Sequence, residues 1–150
     1  MKTTTRTMIK LLLGATLLSG WVGAALAQDV EASDMVRGGI QVVQLVDQGK
    51  TGELWDGAAP AAKKRVTRND FMAQVSTVRG PLGEPIQRTW VAINRQVVAD
   101  PDADLAGQYV SVEYETRFAN AAANRASMRE LVSFHLDRDK VWRFSGYVLR

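Results

Sequence analysis

The chain changes its hydrophobic rhythm once, near residue 85. Between Asp34 and Asp47, Val36, Gly39, Ile40, Val43 and Val46 fall on one side of a repeat of about 3.6 residues, with Met35 and Val42 at its margin. That spacing predicts an amphipathic helix, which Gly49 stops. A short second helix runs through Glu53, Leu54, Trp55 and Ala58 and ends near Pro60. A third starts at Thr67 as N-cap with Asp70 three residues on, carries Phe71, Val75 and Val78, and stops at Gly80-Pro81.

From Ile86 onward the period becomes two, and segments 86–98, 108–118, 127–137 and 141–149 read as strands. The second strand sets Val110, Val112, Tyr114, Thr116 and Phe118 against Ser111, Glu113, Glu115 and Arg117. The third sets Met128, Glu130, Val132, Phe134 and Leu136 against Arg129, Leu131, Ser133, His135 and Asp137. In the fourth, Trp142, Phe144, Gly146 and Val148 oppose Val141, Arg143, Ser145, Tyr147 and Leu149. Cross-strand partners share a face, so Leu136 must pair with an even-numbered residue such as Trp142. A three-residue or bulged connection over Arg138, Asp139 and Lys140 satisfies this, and a two-residue one does not. The expected fold class is α+β: three N-terminal helices packed on one face of a curved four-stranded antiparallel sheet.

The chain of 150 residues is 46% hydrophobic and 23% charged, and has no cysteine. This composition fits one globular domain without a disulfide framework, cysteine nucleophile or thiolate metal site. The formal charge of +3 is located at the start: Lys2, Arg6 and Lys10 precede residue 28 with no acid among them, and the remainder is formally neutral. Three bases, an uncharged run from Leu11 to Ala27 and the ending Ala25-Leu26-Ala27 make the three-part pattern of a secretory signal peptide. The expected cut lies between Ala27 and Gln28, giving residues 1–27 as leader and 28–150 as one exported domain, periplasmic in a cell with two membranes. An uncleaved anchor is the alternative. Against it stand the glycines that dilute the run and Asp29 and Glu31 where a stop-transfer places bases.

Several short motifs carry a likeness. Trp55 follows the first helix, Arg79-Gly80-Pro81-Leu82-Gly83 precedes Arg88, and Gly107-Gln108-Tyr109-Val110 leads to Tyr114-Glu115-Thr116-Arg117-Phe118. Trp142-Arg143-Phe144-Ser145-Gly146-Tyr147 closes the series. In these the chain resembles the domain-of-unknown-function 4019 family of exported bacterial proteins, over nearly all of residues 28–150. Phe71 stands where that family's tryptophan is expected. The resemblance implies no catalytic residue and no cofactor. The layout is also similar to nuclear-transport-factor-2-like and cystatin-like rolls, whose curved sheet can enclose a conical cavity and which host enzymes and binding modules alike.

Candidate sites have competing readings. Glu130 interrupts the otherwise apolar face of the third strand, and Tyr114 occupies the same face of the second. In a hydrophobic cavity lined by Tyr114, Phe134, Trp142 and Phe144 the pair could move a proton, as in isomerase or dehydratase chemistry. The bland reading puts Glu130 at the rim or against a base such as Arg150. His135, the only histidine, is placed with Ser133 on the face away from the helices as a surface or interface residue, and one histidine without cysteine disfavours zinc. Leu131, His135, Tyr147 and Leu149 on that face, with Trp90 possible beside them, suggest a partner surface and a homodimer. Asp100, Asp102 and Asp104 have the opening spacing of a calcium loop, but Leu105 and Ser111 stand where its glycine and glutamate belong. Lys63, Lys64, Arg65 and Arg68 form the densest basic cluster, suited to anionic lipid, while the neutral domain argues against nucleic acid. Gly80-Pro81-Leu82-Gly83 reads as a turn and not as a phosphate loop.

These residues favour a non-enzymatic binding or protein-interaction module of the envelope, with an unknown protein or small apolar ligand as partner and membrane contact through the leader only. The alternatives are a small cavity-type enzyme using Glu130 and Tyr114, and an envelope-lipid or stress accessory protein.

Overall fold

The structure, a computed structural model, describes residues 31–120 and 127–150. The expected leader and its cleavage site lie outside these residues. Among the described residues no helix is long and apolar enough to cross a membrane.

Helices α1 (Ala32–Asp47), α2 (Thr51–Asp56), α3 (Pro60–Arg65) and α4 (Arg68–Arg79) precede strands β1 (Pro85–Val98), β2 (Gly107–Phe118), β3 (Met128–Leu136) and β4 (Trp142–Leu149). The strands form one antiparallel sheet in the order β1-β2-β3-β4, so the α+β class holds. The described α-helices number four where the periodicity gave three. Pro60 does not close the second helix. It opens α3 at its first turn, where the proline's missing N–H costs nothing, and Ala61 and Ala62 bury its inner side. Thr67 caps α4 by accepting from the Asp70 N–H at 3.2 Å.

Helix α1 lies over β1, β2 and β3, and α3 and α4 reach β4. Met35, Val42, Val43 and Val46 of α1 meet Val110, Val112, Tyr114, Val132, Phe134 and Phe144 in one core. Phe71 of α4 packs on Phe144 with ring centroids 5.7 Å apart, so phenylalanine fills the position expected to hold tryptophan. Gly39 lets α1 approach β2 closely, since a Cβ there would lie 2.2 Å from the Tyr114 hydroxyl oxygen.

Leu136 pairs with Trp142 across a turn in which Lys140 takes φ 65° and donates its N–H to the Asp137 carbonyl at 2.9 Å. This is the three-residue connection that parity requires. The face assignment then fails beyond Phe144. Phe134 pairs with Phe144 but Ser133 pairs with Gly146, so Ser145 is an extra residue that flips the rest of β4. Tyr147 now shares a face with Val132 and Leu149 with Glu130, both toward the helices, while Val148 turns outward with Leu131. A second bulge, at Val91, keeps Trp90 beside Tyr114 on the helix side and brings Ile93 opposite Val112.

Candidate functional site

Glu130 is fully buried at 0% exposure and both its oxygens are engaged. Oε2 accepts from Arg88 Nε at 2.6 Å and from the Thr116 hydroxyl, and Oε1 accepts from the Tyr147 hydroxyl at 2.8 Å. Arg88 also donates to both oxygens of Asp47, at 2.9 and 3.1 Å, and Arg79 Nη2 donates to Asp47 Oδ1 at 2.8 Å. The result is a chain of alternating charge, Glu130–Arg88–Asp47–Arg79, running from the sheet to the C-terminal end of α1. Burial opposes the charge of Arg88, yet the bonds from Asp47 and Glu130 hold its guanidinium above its ordinary pKa. Burial likewise pushes the Tyr147 and Tyr114 phenols up, with the Glu130 charge adding to it. Both tyrosines are held as neutral donors.

Tyr114 donates to the Val36 carbonyl of α1 at 2.7 Å, not to Glu130. The two candidate proton carriers are cross-strand partners on one face of the sheet, without a hydrogen bond between them. Tyr114, Phe134 and Phe144 lie inside the core and Trp142 packs against it. Arg150 pairs with Glu113 on the outer face, at 3.5 Å, leaving Arg88 as the base that holds Glu130. Sequence reasoning passed over Asp47, Arg79 and Arg88. No sequence signal marks this: Arg88 faces the helices because it stands opposite Thr116, a pairing that the register shifts in β1 set.

The Asp47–Arg79 pair reaches an open groove of about 380 Å³ between α1 and α4, walled by Val46, Met72 and Val75, with Ser76 and Glu84 along it. Arg79 Nη1 donates to the Gly83 carbonyl at 2.5 Å, and its guanidinium lies 4.2 Å from the Phe118 ring centre. The turn at Gly80–Gly83 thus serves as a seat for Arg79.

His135 does not lie on an open face: it is 3% exposed beneath the β1–β2 loop, between Asp137 and the Ala106 carbonyl. Of the proposed interface set, Leu131 alone keeps an outward position. Tyr147 and Leu149 turn inward for the bulge reason given above, and His135 is roofed by the loop. Exposed large apolar side chains gather instead on β1, with Ile86, Val91, Trp90 at 52% and Val97 at 81% exposure. Asp102 and Asp104 both bind Lys64, at 2.7 and 2.8 Å, and Asp104 also binds Arg138. Asp100 accepts the Asp102 N–H at 2.8 Å. The three carboxylates are thereby committed to protein donors, and among the described residues no group of acids or histidine is arranged for a metal ion. In the basic cluster, Arg68 pairs with Asp56 at 2.8 Å, Lys63 lies 5.2 Å over the Trp55 ring and Arg65 lies 5.8 Å over that of Tyr109.

The family model described as "Protein of unknown function (DUF4019)" matches residues 39–147. The chain belongs to the domain-of-unknown-function 4019 family. No curated protein and no solved structure matches it. In this family member the motif residues Arg79, Arg88, Thr116 and Tyr147 converge on the buried charge chain, and Tyr114 and Phe144 pack beside it.

Proposed function

We propose that the chain is a non-enzymatic binding module of the bacterial envelope, exported by its N-terminal leader, and that it takes a small, partly apolar ligand in the groove between α1 and α4. One observation carries the reading. The carboxylate best suited to acid–base work is saturated and sealed, whereas the groove combines an apolar wall with a charged pair at its base. Its volume falls in the range of about 300 to 1,000 Å³ typical of small-molecule sites.

Fragment screening by NMR tests this. Short-chain amides and carboxylates are expected to shift the signals of Met72, Val75 and Ser76, and a Ser76→Trp variant, which fills the groove from its exposed wall, should abolish the shifts. Fragments that perturb other surfaces, or none, remove the reading. Export is tested separately, by mass spectrometry of the envelope fraction for a chain beginning at Gln28.

A second reading, self-association, is favoured by β1. It is an edge strand whose apolar side chains its own helices leave exposed, while the Ala59 N–H donates to the Phe144 carbonyl of the opposite edge strand at 2.8 Å. Light scattering should then show a dimer at high micromolar concentration that Trp90→Glu dissociates. A wild-type monomer ends this reading.

A further inference from the structure

The charges on the groove between α1 and α4 do not cancel. Asp47 is shared by Arg88 and Arg79, and Arg79 spends Nη2 on Asp47 and Nη1 on the Gly83 carbonyl. Its remaining nitrogen, Nε, is buried and presents no donor to the groove. Glu84 lines the groove from an exposed position, and no base among the described residues pairs with it. Lys50, between two lining residues in sequence, does not line the groove. Arg68, whose Nη1 lies 3.4 Å from Met72 Sδ, is paired with Asp56 at 2.8 Å. Asp47 and Arg79 offset each other, so the lining carries one negative charge in excess.

We infer that the groove selects a monocation with a short apolar chain, a free primary alkylamine whose ammonium group sits at Glu84 and whose chain lies along Val46, Met72 and Val75. The inference rests on the groove reading proposed above and adds the sign of the ligand's charge. Backbone dipoles favour the same sign. α1 ends at Asp47 and α4 at Arg79, both on this groove, and the free carbonyls of a helix C-terminus carry about half a negative charge. α1 has no basic side chain in its last turn to answer that charge. α2 begins at Thr51 on the same groove and opposes the effect, with 6 residues against 16 and 12.

An ammonium group suits this lining because it donates three hydrogen bonds and accepts none. The groove offers it the Glu84 carboxylate, the Ser76 hydroxyl and the exposed edge of the Asp47 carboxylate. A carboxylate ligand would instead meet Glu84 with like charge and find every Arg79 nitrogen either engaged or buried. One excess charge calls for one ammonium group, so a second cationic end on the ligand would have no counter-charge there. Val46 and Val75 supply the apolar wall on which the chain is shielded from water.

Matched four-carbon probes read the sign of the charge. Butylamine, butyramide and butyrate are titrated into the full chain at about pH 7 and about 20 mM salt, with NMR following Met72, Val75 and Ser76. Butylamine should bind at least about tenfold tighter than butyrate, with butyramide between them. Glu84→Gln, a change at an exposed residue without a partner, should cut that preference to about threefold or less. Ser76→Trp should abolish the binding of all three. Equal affinities, or a preference for butyrate, overturn the inference and leave the groove reading standing. A butylamine preference that Glu84→Gln leaves whole also overturns it. If no probe shifts Met72, Val75 or Ser76, both the inference and the groove reading fall.

Discussion

Glu130 shows how one residue fixes the interior. A buried carboxylate is tolerated only with its lone pairs occupied, and here Arg88, Thr116 and Tyr147 occupy them. Glu130→Ala leaves Arg88 half-paired inside the fold and is expected to cost about 3 to 5 kcal/mol in urea denaturation. The double change Glu130→Leu with Arg88→Met should recover a large part of that loss, because it removes both charges together. Tyr114 poses a different constraint, one of space. Gly39→Ala drives a methyl into its hydroxyl and should destabilise by about 1 to 3 kcal/mol. In the Tyr114→Phe background, where that oxygen is gone, the same substitution should cost measurably less, and a double-mutant cycle reads the difference. Equal costs in both backgrounds would show that α1 moves away instead.

Among the elements, β4 decides most. The Ser145 bulge changes which half of its side chains faces the helices, and with it delivers Tyr147 to Glu130. Tyr147→Phe keeps the ring and removes the donor, so the buried Oε1 loses its bond; a loss of about 1 to 3 kcal/mol is expected. Deleting Ser145 removes the extra residue and leaves Phe144, Tyr147 and Leu149 on the inner face in an unbroken alternation, so the deletion should cost less than Tyr147→Phe. The check is urea denaturation, with the near-ultraviolet circular dichroism of the packed aromatics retained. A deletion variant that loses that signal would mean that the bend at the bulge is itself needed. The same device in β1, at Val91, is what makes Arg88 and Ile93 both face inward in spite of their opposite parity.

On the scale of the whole molecule, two ends of the sheet are held differently. One end is closed by the buried charge chain and the other by exposed pairs that tie the β1–β2 loop to α3 and to the β3–β4 turn. Lys64, with Arg138, lowers Asp104 from 3.8 to about 2. A depressed carboxylate contributes to the fold above its unfolded pKa and loses that contribution as pH falls. The Asp104 tether should therefore be intact above about pH 4 and released toward about pH 2. Amide exchange of Leu105 and Ala106 against pH measures it. Because the partners are solvent-exposed, added salt should weaken this tether far more than it weakens the Asp47–Arg88 contact.

The amino-acid order by itself determined the α+β class, the four strands, the inward face of β2 and β3, and the three-residue turn after Asp137. Each of these follows from a period or a parity carried within one segment. It also placed Glu130 on the core face and recorded the family likeness in short motifs. Tertiary structure alone decided which base meets Glu130, because Asp47, Arg88 and Glu130 lie 41 and 42 residues apart in the chain and their meeting depends on how α1 crosses the sheet. It also decided the fate of Tyr147 and His135. A bulge shifts parity without a strong local signature, and a loop can bury a residue whose own strand marks it as outward. Periodicity reports on the face a strand offers, whereas burial depends on what the rest of the chain lays over it.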